Sequence, residues 1–390
     1  MTISNEELRG EVGDLKTEID NLKVENNDLK VENDGVKVEN NSLKVEVDGL
    51  KASLKTQNND LRVENTQLSA EKQCLKEQLV QSPTPDLFNV PVDIKWHDGA
   101  PAPVKGGAGH TAVLFDGKVY IGGGYETGYN PSYKIDVYNP SNNSWSPSPI
   151  NAPCSYFAMT TFNNQLITAG GMIKSNVTNK ILLLDGDHLK EHNRMITPRY
   201  FTTAAGHQGV LIIAGGKNDQ QRALATTELF DSTTGQWYTT GDLPLPHYKL
   251  HSVVVDNVLH LLGGFNQDAI SPAVFTAPLR TLSRYQLKWQ LKWSSQEDTP
   301  WCRSAPVSIQ GRHLLVVGGV KKIRSDYVHT SNVYMFDKVR YSWEVIGQIP
   351  SARNAPAAVS IADNKIVVVG GLDHKVKHTN TVWIGSCVPQ

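Results

Sequence analysis

The sequence predicts an all-β propeller of six blades over residues 92–390, closed by an N-terminal strand and preceded by a long α-helical coiled coil over residues 1–82. Three observations predict this fold class. A phrase of two apolar runs, with a turn pair between them and a glycine pair at the end, occurs six times. Successive copies lie about 45 to 55 residues apart, which is the period of a four-stranded blade. Before them the chain repeats every seven residues. The proline-rich residues 83–91 are the predicted linker.

The N-terminal segment has the apolar repeat of a coiled coil. Leucine or valine occupies one position of the heptad, position d, from Leu8 to Leu50. Position a combines apolar residues with three asparagines, Asn26, Asn33 and Asn40. Apolar residues at a and d form the seam between coiled helices, and asparagine at a favours two strands. Charged, asparagine-rich segments that contain glycines also occur as single solvated helices, and that alternative stays open.

Charged residues flank this seam in an order that favours parallel pairing. The glutamates at position g, from Glu18 to Glu46, are each followed five residues later by a lysine at position e, from Lys23 to Lys51. In a parallel pair each g residue meets the following e residue of the partner, so these contacts are all attractive. Each exposed pair contributes less than about 1 kcal/mol. Together they predict a parallel homodimer.

Each copy of the later phrase predicts a β-hairpin. In the first copy the turn pair Asp116-Gly117 separates two apolar runs. Asn, Asp and Gly tolerate the positive φ of a two-residue hairpin turn, and the short, β-branched second runs are typical of buried strands. Glycine pairs at the strand ends indicate a sharp turn or a close backbone approach. The pairs are Gly123-Gly124, Gly170-Gly171, Gly215-Gly216, Gly263-Gly264, Gly318-Gly319 and Gly370-Gly371.

Aromatic residues predict the outer strands and the closure of the ring. Three repeats place a tryptophan seven residues after another aromatic residue, at Trp145, Trp237 and Trp343, which indicates a third and a fourth strand. After the last glycine pair the chain supplies a third strand but no fourth. We therefore expect the alternating strand around Trp96 to complete the last blade beside the segment around Trp383. The two ends of the domain then close one ring of six blades.

In these features the chain resembles the kelch-repeat family, whose signature is a strand ending in Gly-Gly followed by a spaced aromatic residue and tryptophan. The resemblance covers residues 92–390. Two repeats depart from it: Glu191 stands where the second would have tryptophan, and the fourth carries a long insertion with Trp289 and Trp293. The resemblance implies a propeller that binds other proteins. Its binding face would combine the loops after the glycine pairs with the lead-in loops, which lead into the first strand of each blade.

Both sets of loops carry cationic and aromatic residues. The lead-in loops hold Arg199, Arg303 and Arg353, and the resemblance implies that arginines there line the pocket, as in kelch adaptors. The loops after the glycine pairs supply the other candidates, Tyr125, Phe265, Asn266, Lys321 and His374. Forked cationic donors and flat apolar side chains suit a carboxylate-bearing peptide. We therefore expect an unidentified protein or acidic peptide as the partner. For each arginine the alternative is a solvated charge or an ion pair within the loops.

An enzyme is the first alternative function. Some kelch-like propellers are enzymes, among them copper radical oxidases and a sialic acid epimerase. The histidines here are scattered, and the close pair His247 and His251 would be separated by about 13 Å along a strand, too far to chelate one ion. No nucleophile elbow, phosphate loop or HExxH motif occurs in the sequence. We expect no catalytic residue, no metal site and no cofactor.

Other family roles and other ligands find less support. Residues 1–82 do not resemble the adaptor domain that recruits a cullin ubiquitin ligase, so that role would need a separate subunit, and actin binding has no specific residues behind it. Lys plus Arg is 38 against 39 Asp plus Glu, which gives no basic excess for nucleic acid. No apolar run suits a membrane span or a secretory signal, and the cysteines lack CxxC spacing. We expect a cytoplasmic, non-enzymatic interaction protein.

Overall fold

The computed structural model describes residues 5–81, 92–103, 108–126, 130–267, 269–280, 286–293, 303–323, 326–337 and 342–389. The chain divides into two units, Met1–Asp86 and Leu87–Gln390. The predicted linker, residues 83–91, lies outside the described residues. The first unit contains a helix and the second contains the strands of the described chain.

The N-terminal unit is formed by one α-helix, Asn5–Gln81. Its described side chains, from Arg9 to Asn59, are all exposed, and this includes the apolar residues at positions a and d. Ion pairs one turn apart lie along its surface, Lys23–Asp20, Lys37–Asp34 and Lys51–Asp48. The apolar seam that the heptads predict is therefore uncovered within this unit.

The second unit is a six-bladed β-propeller of antiparallel sheets. Blade 1 consists of Thr111–Phe115, Lys118–Gly122, Lys134–Asn139 and Ser144–Trp145, and Ile150–Asn151 also pairs with its third strand. Blade 2 consists of Ala158–Phe162, Gln165–Ala169, Lys180–Asp185 and His188–Arg194. Blade 3 consists of Thr203–His207, Val210–Ala214, Thr227–Asp231 and Gln236–Thr239.

The remaining blades complete the ring. Blade 4 consists of His251–Val255, Val258–Leu262, Val274–Pro278 and Gln290–Trp293. Blade 5 consists of Ala305–Ile309, His313–Val317, Asn332–Asp337 and Ser342–Gln348. Blade 6 consists of Ala357–Ala362, Lys365–Val369, Val382–Pro389 and Val92–Asp98. The first strands of neighbouring blades contact one another all the way round, so they line a central channel.

Short hairpins follow the glycine pairs of four blades, on the face that also carries the lead-in loops. They are Tyr125–Glu126 with Asn130–Pro131, Met172–Ile173 with Asn176–Val177, Phe265–Asn266 with Ala269–Ile270, and Val320–Ile323 with Asp326–His329. In blade 2, where tryptophan is missing, Glu191 instead forms ion pairs with Lys180 and Arg194.

The N-terminal strand closes the ring as predicted. In the antiparallel pairing of Val92–Asp98 with the third strand of blade 6, Trp96 lies opposite Gly385. The Trp96 ring covers this glycine, because a Cβ atom added there would lie 2.7 Å from it. Ile94 is buried in a core cluster that joins Leu315 of blade 5 to Val368 of blade 6. Trp96 and its partner strand come from opposite ends of the propeller sequence. Their pairing therefore joins the two ends of the domain.

The glycine pairs are required by close backbone contacts, which blade 2 illustrates. Gly170 and Gly171 have φ values of 65° and 105°. A Cβ atom on Gly170 would lie 2.2 Å from the carbonyl oxygen of Arg199, and one on Gly171 would lie 2.5 Å from that of Ser155. The N–H of Gly171 also donates to the Arg199 carbonyl, at 2.9 Å. The pair is thus wedged between the lead-in loop of its own blade and that of the next.

Ring closure can be tested by two N-terminal deletions. We expect a chain that begins at Leu87 to melt at nearly the same temperature as the full chain, and one that begins at Gly99 to melt at least about 5 °C lower, because it loses the buried Ile94 and leaves blade 6 without its outer strand. Circular dichroism melts measure both. Equal melting temperatures for the two deletions would show that the N-terminal strand does not hold the ring together.

Candidate functional site

Six residues at equivalent positions encircle one mouth of the central channel. Each lies two residues before the first strand of its blade, has a φ between 51° and 68°, and lines one cavity at the channel mouth. We call them the mouth ring: Gly109, Tyr156, Phe201, Lys249, Arg303 and Ala355. A non-glycine residue in this left-handed conformation costs about 1 kcal/mol. Five such residues in one ring are a concentration of backbone strain that is typical of functional sites.

Backbone hydrogen bonds between successive members hold this conformation. The N–H of Phe201 donates to the carbonyl of Tyr156 at 3.0 Å, and the N–H of Lys249 donates to the carbonyl of Phe201 at 2.8 Å. On the other side of the ring, the N–H of Ala355 donates to the carbonyl of Arg303 at 2.7 Å. The left-handed backbone is therefore stabilised by a chain of bonds from blade to blade.

Aromatic side chains from blades 1 to 4 pack together at the mouth, where four of them line the cavity and Tyr200 and Tyr248 are buried behind those four. We call this group the aromatic wall: Tyr125, Tyr156, Tyr200, Phe201, Tyr248 and Phe265. Phe201 lies at its centre, with its ring centroid 4.4 Å from that of Tyr156 and 6.2 Å from that of Tyr248. Tyr248 and Phe265 are stacked with centroids 5.3 Å apart. Such rings provide flat apolar contact area that loses little conformational entropy on binding.

Cationic side chains lie against the aromatic wall. The Nζ atom of Lys249 is 4.2 Å from the centroid of Phe201 and 4.8 Å from that of Tyr125, and it donates to the Tyr125 hydroxyl. Lys217 lies over Tyr248 with its Nζ 4.1 Å from the centroid. These are cation–π contacts. Burial, reinforced by the positive charges of Arg303 and Lys217, lowers the pKa of Lys249 to about 8.

The mouth is asymmetric because the ring positions of blades 1 and 6 are Gly109 and Ala355, which have no large side chain. The cavity within the ring measures about 60 Å³. Below it the channel widens to about 360 Å³ between the first strands of the blades.

The sequence-based prediction for Arg199 was wrong, because this side chain is 0% exposed. Its guanidinium donates to the carbonyls of Gly215 and Thr226, at 2.9 and 3.0 Å, and pairs with Glu228. The Glu228 carboxylate also accepts two backbone N–H groups, one of them from Thr197 at 3.0 Å. Arg199 therefore fastens its lead-in loop to blade 3 and is not available to a partner.

Arg353 has the same structural role in blade 6, so that prediction was also wrong. Its side chain is 4% exposed and donates to Ser351 and Thr381 at 3.0 and 3.2 Å, and its guanidinium lies 4.4 Å from the centroid of Trp383. Arg199 and Arg353 both lie four residues before a first strand, where side chains turn into the blade. His247, at the same position, is also buried and contacts Ser271 at 2.7 Å.

Arg303, Tyr125 and Phe265 do lie at the mouth, where they line its cavity. The guanidinium of Arg303 is 5.9 Å from the centroid of Phe265. Three other predicted residues do not line this cavity. Asn266 pairs with Ala269 in a hairpin, Lys321 lies with its Nζ 5.8 Å from the ring of Tyr334 in blade 5, and His374 is exposed in the loop after the last glycine pair.

Of the six members of the mouth ring, sequence reasoning identified Arg303 alone; the missed members with large side chains are Tyr156, Phe201 and Lys249. A signal for them was present, because each lies at the same distance from a predicted first strand as Arg303 does. Aligning the lead-in loops on that distance separates the residues that turn into the blade from those that face the channel. Selecting arginines by residue type alone placed both kinds in one group.

Comparison with known proteins gives two family-level matches. The KLHDC2/KLHL20/DRC7 Kelch-repeats domain matches residues 156–371, and the Kelch motif matches residues 106–150. The chain belongs to the kelch-repeat family. The glycine pairs, the six blades and the ring closure described above are thus features of a kelch propeller.

Kelch relatives match it at low identity. Kelch-like protein 35 of Mus musculus is 24% identical over 270 residues, which are 68% of this chain and 43% of the relative. Kelch domain-containing protein 3 of Homo sapiens is 23% identical over 196 residues, which are 46% of this chain and 50% of the relative. This chain thus matches at most about half the length of these kelch relatives. The solved structure of YjhT shares the fold, with a TM-score of 0.59, 14% identity and coverage of 72% of this chain and 95% of that chain.

The described part of the chain has neither a metal-ligand cluster nor a membrane-spanning helix. No group of three or more His, Cys, Asp or Glu side chains there is arranged to hold a metal ion. No described helix has the length and apolar character that a membrane crossing needs.

The different fates of the arginines can be tested by unfolding. We expect Arg199→Met to lower the free energy of unfolding by about 3 to 5 kcal/mol, because it leaves the buried Glu228 carboxylate without its counter-ion. Arg303→Met, at the channel mouth, should change it by about 0.5 kcal/mol or less. Urea unfolding of the two variants beside the natural chain gives both values. A small loss for Arg199→Met would contradict its role as a fastener of the blade.

Proposed function

We propose that this kelch propeller is a non-enzymatic interaction module that binds an acidic segment of a partner protein at the mouth ring. The observation that carries the proposal is the pair of cationic side chains, Lys249 and Arg303, that line one cavity beside aromatic rings. A third cation, Lys217, lies outside that cavity over the ring of Tyr248. Aromatic residues and arginine are the side chains that most often dominate binding energy at interfaces.

Electrostatics favour a partner that supplies negative charge. The three cations lie close enough for Arg303 and Lys217 to act on Lys249, and like charges brought together in a partly buried site repel one another. A bound carboxylate relieves this repulsion and accepts charge-assisted hydrogen bonds. The aromatic wall gives apolar parts of the same segment a surface to cover.

Selection from a library of random displayed peptides tests this proposal. We expect enrichment of peptides that contain Asp or Glu beside an apolar residue. Arg303→Ala and Lys249→Met should each weaken binding of a selected peptide about 10-fold or more, equivalent to about 1.4 kcal/mol. Lys321→Ala, which removes a cation from the same face outside the mouth cavity, is the matched control and should leave affinity within about 2-fold. Enrichment of basic peptides, or equal losses for all three variants, would contradict the proposal.

We further propose that the helix pairs with a second copy in a parallel coiled coil, so that two propellers act together. The uncovered heptad seam, the g-to-e charge order and the asparagines at position a support this state. Two linked propellers bind a partner with two sites, or a clustered partner, more tightly than one propeller does, without new contacts.

Two matched double variants distinguish pairing through the a/d seam from non-specific association of the helix. Leu22 at position d and Val24 at position f are similarly exposed on the single helix, at 58% and 61%. We expect the full chain to have a dimeric mass by light scattering. Leu22→Lys combined with Leu43→Lys, at position d, should weaken the dimer at least about 10-fold. Val24→Lys combined with Val38→Lys, at position f, should leave the dimer intact. A monomeric natural chain, or equal effects of the two pairs, would refute parallel seam pairing.

A further inference from the structure

Lys249 differs from the other cations at the mouth because its amine is enclosed and lies among positive charges. Its Nζ atom is within 5.4 Å of the ring centroids of Tyr125, Phe201 and Phe265. The charged groups that act on it among the described residues, Arg303 and Lys217, are both positive. The Tyr125 hydroxyl accepts a hydrogen bond from the amine. The site therefore offers the ammonium ion aromatic rings and a neutral hydroxyl.

These surroundings keep the Lys249 amine neutral in a fraction of the molecules near physiological pH. Burial and the neighbouring charges lower the pKa of Lys249 to about 8. At pH 7.4 roughly one fifth of such amines are neutral, against roughly 0.1% for a lysine of ordinary pKa. A desolvated lysine beside another cation is the arrangement that activates an amine as a nucleophile toward carbonyl compounds.

The amine is also reachable from the channel mouth. Lys249 is only partly buried and lines the cavity of about 60 Å³ together with Arg303 and the rings of Tyr125 and Phe201. The ring positions of blades 1 and 6, Gly109 and Ala355, add no large side chain, and the Tyr125 ring lies beside Gly109. An anionic group on a small carbonyl compound in this cavity would lie near Arg303, which lines it.

We propose that Lys249 is a covalent capture site that forms a reversible imine with small aldehydes or ketones carrying an anionic group. The lone pair of the neutral amine attacks the carbonyl carbon, a C–N bond forms as the carbonyl π bond breaks, and one of the two amine protons passes to the oxygen to give a carbinolamine. Its hydroxyl group takes up a proton from solvent and leaves as water when the C–O bond breaks, and the nitrogen keeps its remaining proton as an iminium ion. Loss of that proton to solvent gives the imine, so the net reaction converts an amine and a carbonyl group into an imine and water, without an oxidant or a reductant.

Neighbouring groups suit each stage of this reaction. Burial raises the pKa of the Tyr125 hydroxyl, so it stays neutral beside the nitrogen and offers a hydrogen bond to the hydroxyl group of the carbinolamine. The iminium ion that forms is a cation, so the rings around Lys249 stabilise it as they do the ammonium ion. The anionic substituent pairs with Arg303, which lines the same cavity. This inference uses the same cavity as the proposed partner binding but does not depend on it, because the chemistry needs no peptide.

Reductive trapping on the full natural chain tests the proposal. The probe is succinic semialdehyde, an anionic aldehyde, at pH 7.4 with cyanoborohydride, which converts an imine to a stable secondary amine that peptide mass spectrometry locates. We expect Lys249 to be labelled about 10-fold or more faster than Lys321, which also lies over an aromatic ring. Butanal, a neutral aldehyde of the same chain length, should label Lys249 more slowly, and Arg303→Met should reduce the preference for the anionic probe.

The outcomes separate this site from non-specific lysine chemistry. The ratio of Lys249 to Lys321 is measured within one folded molecule, so it does not depend on how well any variant folds. Lys249→Arg keeps the charge and removes the nucleophile, and should abolish labelling in that peptide while the melting temperature is retained. Labelling of Lys249 no faster than of Lys321, or equal labelling by the two aldehydes, would overturn the proposal. If the natural chain bound no acidic peptide but Lys249 were labelled as expected, only the proposed partner binding would be contradicted.

Discussion

The contact between a glycine pair and the lead-in loop of the next blade, which the structure describes for blades 2, 3 and 5, is the constraint on which the rest of the propeller depends. In blade 2 the N–H of Gly171 binds the carbonyl of Arg199, and in blade 3 the N–H of Gly216 binds the carbonyl of His247. These carbonyls lie two residues before Phe201 and Lys249 of the mouth ring. The glycines of one blade therefore fix the backbone that presents the ring residue of the following blade.

This constraint explains why so much of the fold could be predicted from the sequence. A Cβ atom at Gly170 would collide with a neighbouring backbone carbonyl, so the pair has to be glycine and marks every blade at a regular interval. The count of six pairs then fixes the blade number, and the missing outer strand after the last pair identifies Val92–Asp98 as its replacement. Both deductions use only local patterns and the requirement that a propeller close on itself.

The site was predicted less well because the fate of a lead-in side chain depends on backbone geometry that its residue type does not reveal. Arg199 and Arg303 are the same residue in equivalent loops, but a difference of two positions relative to the strand buries one and places the other at the channel. The channel-facing position requires positive φ, which Asn and Gly would have signalled. Tyr156, Phe201 and Lys249 have no such preference, and their conformation is imposed by hydrogen bonds between blades.

The lead-in loop has two kinds of position, one that stabilises the blade and one that faces the channel mouth. Residues four positions before the strand, such as Arg199 and His247, bind groups inside the blade. A substitution there therefore lowers the free energy of unfolding. Residues of the mouth ring contribute their backbone to the ring and their side chains to the cavity. The position therefore accepts a residue as small as Gly109 or as large as Phe201 within one propeller. Because each blade supplies one such position, single substitutions can change the chemistry of the mouth while the hydrogen bonds between the backbones stay the same. In this chain Lys249 and Arg303 lie beside aromatic rings and bring positive charges close together at the mouth.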